Sequence, residues 1–409
     1  MSRIDVDSVN LADMDFWKRP DRDEAFAALR EHKPLSWHEF PEGSPEYGCK
    51  GFWSVVRYDD ITAVSGDAKT FISGEGTIVG DQSVEEALQE GWFLNMDAPR
   101  HFKLRQVVAR AFSPQGVTKM SEVAKEYAAS VVASVKDRGE CDYAKDVAQA
   151  FPVEVVCDFL GAPKENRRRL HELTVTALAG DVLGTNAIEA ITGAFAELND
   201  YGRCLAAEKR KNPGDDILSM ILATEVEGKK LDDVEAGYFF QLLVTAGMET
   251  TGTVGAHAMK CFLEYPEQMK IWANDPAGVA VSGFEELVRW VTPVMHMRRT
   301  ASRDTEIHGQ RIAAGDKVVM WFNSANRDAA KFENPNDFNV LRSPNPHLGF
   351  GGGGRHTCLG AHLARLELPF LLAETLKQFK DIELAGAPEM IPSRFINGIA
   401  SLPIRFKAA

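Results

Sequence analysis

The stretch Gly349-Phe350-Gly351-Gly352-Gly353-Gly354-Arg355-His356-Thr357-Cys358-Leu359-Gly360 constrains this chain more than any other. It places five glycines within six positions, then a cysteine, then an apolar-rich segment that predicts a helix over Ala361–Phe379. So many glycines mark a turn in which the backbone itself approaches a large flat ligand. A cysteine delivered to a helix N-terminus is favoured as the thiolate, because the first amides and the helix dipole point at it.

Gly349-x-Gly351-x-x-Gly354 formally matches a dinucleotide-binding fingerprint. That motif should follow a buried strand, and here Pro344-Asn345-Pro346-His347 precedes it. The acid about twenty residues on, Glu374, falls inside the predicted helix instead of ending a second strand. A nicotinamide dehydrogenase is rejected on these grounds. The six cysteines (Cys49, Cys141, Cys157, Cys204, Cys261, Cys358) form no C-x-x-C pair, so neither a disulfide framework nor a structural zinc site is expected. A haem-thiolate reading explains more residues. Thiolate ligation pushes electron density that favours O–O cleavage, the Leu359 and Gly360 amides moderate the sulfur charge, and His356 is placed to reach a haem propionate.

The rest of the chain is mostly helical. Helices are predicted at Asp23–His32, at Ile61–Ala68 and from Asp97-Ala98-Pro99 to about Phe112. A mostly helical stretch runs from Ser113 to Leu231, broken near Gly139, Gly161-Ala162-Pro163, Gly184 and Asn212-Pro213-Gly214. Asp232-Asp233 with Glu235 opens a long helix to about Glu264, and another spans about Val279 to Val291. Strand signals appear at Gly51–Tyr58, at Glu306-Ile307 and Arg311-Ile312 around Gly309, at Lys317–Phe322, and in short runs from Asp381 to Lys407. Phe71 to Met96, with Gly74, Gly76 and Gly80, reads as a long binding loop. The expected fold is mainly α with a minor β portion, one domain over 1–409.

The glycine loop resembles the cysteine-ligand loop of the cytochrome P-450 monooxygenases, with Phe, glycines, His, Cys and Gly in order. It is similar in particular to bacterial members acting on sterols and methyl-branched lipids. Phe350 lies eight residues before Cys358, against seven in the usual pattern, so Phe350 and Gly351 both compete for the place beside the sulfur. Ala246-Gly247-Met248-Glu249-Thr250-Thr251 in the long helix resembles the family's oxygen-activation motif. Gly247 inside a helix wants a reason, because glycine costs about 1 kcal/mol there. Thr250 is spaced to bond back to the Ala246 carbonyl and bend the helix. Glu249 and Thr250 are the implied proton donors. Glu286 and Arg289 share a helix face, and the resemblance joins them to Arg342 as a structural brace. His101, Arg105 and Arg299 are the implied propionate partners alongside His356, with Arg298 facing elsewhere.

The resemblance implies the cytochrome P-450 fold, haem b (iron protoporphyrin IX) with Cys358 as metal ligand, and haem contacts from Gly247 and Phe350. It also implies hydroxylation of an unactivated C–H bond with O2. Position nominates an apolar substrate pocket: Ile78, Val79, Phe93, Leu94 and Met96 from the loop; Leu243, Val244 and Ala246 from the long helix; Val294, Met295 and Met297 after the brace; Ile396 and Ile399 near the C-terminus. A steroid, terpenoid or branched lipid suits such a set. His296 is its one polar neighbour, satisfied by backbone or orienting a polar group. About thirty residues follow the ligand helix, so no fused reductase is expected, and a ferredoxin and its reductase are the implied partners. Lys103, Arg110 and Arg365 are nominated as their docking patch. The net charge of −13 and pI near 5.3 argue against nucleic acid. No apolar run of membrane length exists, and a cytoplasmic location is expected. A peroxide-driven enzyme or a haem sensor is the alternative class.

Overall fold

The computed structural model describes residues 4–42, 50–79, 92–178, 188–226 and 228–409. Its axis is the helix Asp233–Glu264, whose 32 residues make a rod of about 48 Å. Its start is the predicted one: Asp232 accepts from the Glu235 amide at 2.8 Å while Glu235 accepts from the Asp232 amide at 3.2 Å, a reciprocal cap. Most of the rod is buried. Helices Ala150–Leu160, Lys164–Ala177 and Ile188–Lys211 pack along it. So does a π-helical segment, Ala144–Gln149, which approaches because Gly252 and Gly255 offer no side chain. A Cβ on either would sit 3.2–3.3 Å from Gln149 or Ala148.

The minor β portion flanks this helical body. A sheet runs Leu35–Glu39, Gly51–Val55, Lys317–Trp321, His296–Ala301, Phe71–Ile72 in spatial order. Its central strand pairs parallel with Gly51–Val55 and antiparallel with His296–Ala301. Trp17 stacks on Trp321 with ring centroids 5.0 Å apart, joining the N-terminal segment to this sheet. Thr305–Ile307 and Gln310–Ile312 form the hairpin expected around Gly309.

Some boundaries differ from expectation. The strand from Gly51 stops at Val55, and Tyr58 already opens the next helix, Tyr58–Gly66, because Asp328 caps the Tyr58 amide at 3.0 Å. The Asp97 helix starts only at Arg100. The Asp97 carboxylate instead accepts from the Ser73 and Gly74 amides at 2.9 and 2.8 Å. The strand His296–Ala301, read only as pocket lining and arginines, was missed. Gly80 and Gly184 lie outside the described residues. No described helix is long and apolar enough to cross a membrane.

Candidate active site

The glycine loop closes on itself. The Cys358 amide donates to the Phe350 carbonyl at 2.8 Å and the Gly351 amide to Leu348 at 2.9 Å. Phe350, not Gly351, therefore lies beside the cysteine. The additional residue is absorbed in the turn that follows, where Gly351, Gly353 and Gly354 take φ of 102°, 83° and 79°, a region that favours glycine. The same turn lies against helix Tyr58–Gly66. Ser65 Oγ donates to Gly353 O at 2.7 Å, and a Cβ on Gly354 would sit 2.5 Å from Ser65 O.

The Phe350 ring stacks on Phe284 and lies beneath the Arg365 guanidinium, 4.6 Å from its centroid. Arg365 donates to Glu285 at 2.5 Å, and Glu285 also holds His347 at 2.7 Å. Burial works against the Glu285 charge, but these two partners bring its pKa down to about 2. His347 in turn accepts from the Gly349 amide at 3.1 Å. Arg365 is thus committed to the loop as well as reaching the surface.

Between this loop and the long helix lies a cavity of about 1640 Å³, counting its open mouth. Phe350, Cys358 and Gly360 face it from one side; Ala246, Gly247, Thr250 and Thr251 face it from the other. Burial pushes the Cys358 thiol up, against the pull of the Gly360 and Ala361 amides, Arg105 and Arg365.

The rim is cationic and under-partnered. His101 and Arg105 rise from one face of helix Arg100–Ala109. The His101 and His356 rings stack at 4.0 Å. Buried His101 Nε2 has no hydrogen-bond partner among the described residues. Burial, with nearby arginines, lowers the His101 pKa to about 4 and that of His356 to about 2. Arg299 is 5% exposed, donates among the described residues to the neighbouring Arg298 carbonyl at 2.7 Å, and is pushed down to about 10 by burial. Arg105 donates to Thr357 O. His356 Nε2 lies 3.2 Å from Ser73 Oγ, so the buried arginine and the unpartnered His101 nitrogen are the groups that call for anions. A haem with its sulfur-side iron contact at Cys358 and its two propionates at this rim fits that donor set. Arg298, as expected, turns elsewhere, donating to Glu75 O and to Thr300 Oγ1.

On the long helix Thr250 Oγ1 donates to Ala246 O at 2.7 Å, the expected back-bond, while the helix continues unbroken. Gly247 borders the cavity, and a Cβ there would meet Val156 Cγ2 at 3.0 Å, so the missing side chain also admits Val156 close to the helix. Glu249 is 8% exposed, and burial raises its pKa. It stands beside the cavity wall without lining it.

Of the nominated pocket residues, Phe93, Leu94, Leu243, Ala246, Val294 and Met297 line the cavity. The others do not. Ile78 is 48% exposed. Val79 and Met295 belong to the core around Trp321. Met96, Val244 and Ile399 belong to the helical core, and Ile396 pairs by backbone with Val294. Val244 and Met295 stand next to lining residues, Leu243 and Val294, but face away from the cavity. His296 bonds to Arg394 O at 2.9 Å, packed on Trp321. Phe112, Val156 and Phe159 line the cavity unannounced, because helix order in space is not visible in local pattern. Glu367 was also missed; a lone acid in the apolar run Leu366-Glu367-Leu368 was its signal.

Glu286 and Arg289, both 0% exposed, pair through two bonds of 2.7 and 2.8 Å. Arg342 adds a third at 3.1 Å, and the Asn339 amide a fourth at 2.8 Å. Arg289 also ties down the Asn326 and Pro335 carbonyls at 2.9 and 2.8 Å. The pair anchors the segment that enters the glycine loop.

Comparison with known proteins agrees with this geometry. Residues 283–408 match the model of the family described as Cytochrome P450. A methyl-branched lipid omega-hydroxylase of Mycobacterium tuberculosis is 38% identical over 98% of this chain and 95% of its own length. A steroid C26-monooxygenase of Mycolicibacterium smegmatis is 34% identical over 94% of this chain and 91% of its own. A Mycobacterium marinum cytochrome P450 solved in complex with pseudoionone superimposes with a TM-score of 0.92 at 37% identity, covering 99% of this chain and 100% of that one. With the thiol-bearing loop, the cationic rim and full-length similarity in hand, the chain belongs to the cytochrome P450 family and is a haem-thiolate monooxygenase.

Proposed function

We propose that this enzyme hydroxylates the terminal carbon of an apolar chain, on a methyl-branched lipid or a steroid side chain, in the cytoplasm, with electrons from a ferredoxin and its reductase. The observation that carries the reading is the cavity between Cys358 and Thr250, walled beyond them by Phe93, Leu94, Leu243, Ala246, Val294 and Met297. No charged side chain is among those six, so a chain end enters at no desolvation cost for polar groups. The relatives named above, an omega-hydroxylase and a C26-monooxygenase, are both named for a position at the end of a chain.

The whole of 1–409 serves one haem b. Cys358 would ligate its iron; His101, Arg105, Arg299 and His356 would hold its propionates; Phe350 would shield the sulfur. When bound, the haem supplies activation of O2 toward an unactivated C–H bond. The chain's own residues do the rest. The apolar wall orients the substrate and excludes water. Thr250 positions its hydroxyl at the cavity through the bond to Ala246 O, and Glu249 stands next to it in the helix, its carboxyl pushed toward the neutral form by burial. Glu286, Arg289 and Arg342 keep the loop in register.

One spectrum tests the haem assignment. Reduced protein with carbon monoxide is expected to show the red-shifted Soret band of thiolate ligation, and Cys358→His to lose it; a wild-type protein without that band overturns the reading. For the substrate, methyl-branched fatty acids and sterols are expected to shift the ferric spin state, and turnover to give terminal alcohols. Products oxidised only at internal carbons would contradict the proposal.

A further inference from the structure

Gln241 is a buried polar side chain that the mechanism above does not use. It lies on the long helix, 3% exposed, two residues before Leu243 on the cavity wall. A buried amide is costly unless its oxygen and its NH2 group both find partners. Both do. Gln241 Oε1 accepts from the Trp92 indole Nε1 at 2.6 Å, and Gln241 Nε2 donates to the Phe195 carbonyl at 2.6 Å. An indole N–H only donates and a carbonyl only accepts, so the amide has one orientation here. Phe195 belongs to helix Ile188–Lys211, and its ring meets Trp92 edge-on with centroids 5.5 Å apart.

Trp92 leads into the turn Phe93–Asn95, whose Asn95 amide donates back to Trp92 O at 2.9 Å. Phe93 and Leu94 of that turn line the cavity. The Phe93 ring packs on Phe239 of the long helix, centroids 5.3 Å apart. At the far end of the turn, Asn95 Oδ1 accepts from Thr77 Oγ1 at 2.5 Å. The turn is therefore pinned at both ends, and the Gln241 pin ties it to two helices at once. A methionine would fill the same space at no polar cost. What the glutamine adds is the fixed position of its two partners.

We propose that Gln241 is a specificity-determining positioning residue. By bridging Trp92 to helix Ile188–Lys211 it fixes how far Phe93 and Leu94 project over the cavity, and so which carbon of an apolar chain stops between Cys358 and Thr250. The proposal rests on the terminal-carbon reading above. Gln241 does not line the cavity and acts through Phe93 and Leu94. A displacement of about 1 Å at a reacting centre costs on the order of a hundredfold in rate, so a small shift of this turn redistributes reaction between adjacent carbons.

Product analysis with a methyl-branched fatty acid tests this role. Gln241→Met keeps the volume and removes both bonds. Trp92→Phe keeps a ring against Phe195 and removes only the indole donor. Each is expected to lower the ratio of terminal to internal alcohols several-fold, with the carbon monoxide band kept. Because the two changes delete one shared hydrogen bond, the double variant should lose little more than Gln241→Met alone. Spin-state titration with acids of increasing length reads the same effect without turnover: the length preference of wild type should broaden in both variants. Tyr143→Phe is the control. It deletes a buried hydrogen bond of 3.1 Å to Thr375, neither residue lines the cavity, and it should lower the melting temperature while keeping the wild-type ratio. Wild-type ratios in both single variants overturn the proposal, and so does an equal loss of terminal product in Tyr143→Phe. Wild-type turnover confined to internal carbons would instead sink the terminal-carbon reading, and the change in product distribution between wild type and variants would still decide the role of Gln241. Should Gln241→Met fail to fold, Trp92→Phe decides alone.

Discussion

At the scale of single residues, the molecule separates two kinds of buried ionisable group. Those at the cavity are poised: Glu249 and Glu367 are both pushed toward the neutral acid by burial. Two buried histidines far from it are kept neutral. His257 Nε2 donates to Asn397 O at 2.7 Å, and burial lowers its pKa to about 4; burial likewise lowers that of His38 to about 4. A histidine depressed in the folded state gives stability that is present above its unfolded pKa of about 6.5 and lost as pH falls toward 4. Between pH 7 and pH 5 the loss is on the order of 2 kcal/mol for each. Urea unfolding of the holoenzyme should therefore show a midpoint that drops across this window. His257→Gln should flatten part of that drop; an unchanged slope would count against His257 being neutral. Sequence singled out Cys358, His356, Thr250 and the Glu286–Arg289 pair, because each stands in a distinctive local pattern. It missed Glu367, whose meaning depends on a hydroxyl 116 residues away.

At the scale of elements, the glycine loop is the part whose chemistry is set by backbone conformation. Gly354 combines φ of 79° with a neighbour, Ser65 O, 2.5 Å from where a Cβ would stand. Alanine there meets both left-handed strain of about 1 kcal/mol or more and a clash with backbone that has no side chain to move. Gly354→Ala is expected to weaken haem retention and to reduce the thiolate carbon monoxide band. Gly139 offers the comparison: its φ is 70°, but the nearest atom to its Cβ position is at 3.8 Å. Gly139→Ala should lower the melting temperature slightly and leave the spectrum alone. Equal effects of the two would mean that the loop's contact with helix Tyr58–Gly66 is unimportant. The additional residue before Cys358 was legible as a count. Its accommodation in the turn, leaving Phe350 beside the sulfur, became visible only with the Cys358–Phe350 hydrogen bond.

At the scale of the whole molecule, the question is how electrons reach the sulfur side. Arg110 is exposed, whereas Arg365 is bonded to Glu285 and capped on Phe350. A ferredoxin docking by charge should feel both, but only one substitution should stay local. Arg110→Glu is expected to slow ferredoxin reduction several-fold at low salt, with the difference shrinking as salt screens it. Arg365→Glu should slow reduction and also shift the ferric spectrum, since it frees Glu285 and uncovers Phe350. Identical rates at low salt in Arg110→Glu would place the docking surface elsewhere.

The mainly helical architecture, the long helix and its capped start, and the glycine loop that ends in a cysteine were determined by sequence alone, because each rests on contacts within a few residues. Periodicity, capping pairs and glycine runs are local signals. The tertiary structure decided which apolar residues face the cavity, why Gly247 is a glycine, and that Glu367 borders the site with an unpartnered oxygen. Those follow from which helices pack against one another, and from burial, which turns an ordinary carboxyl into one that keeps its proton.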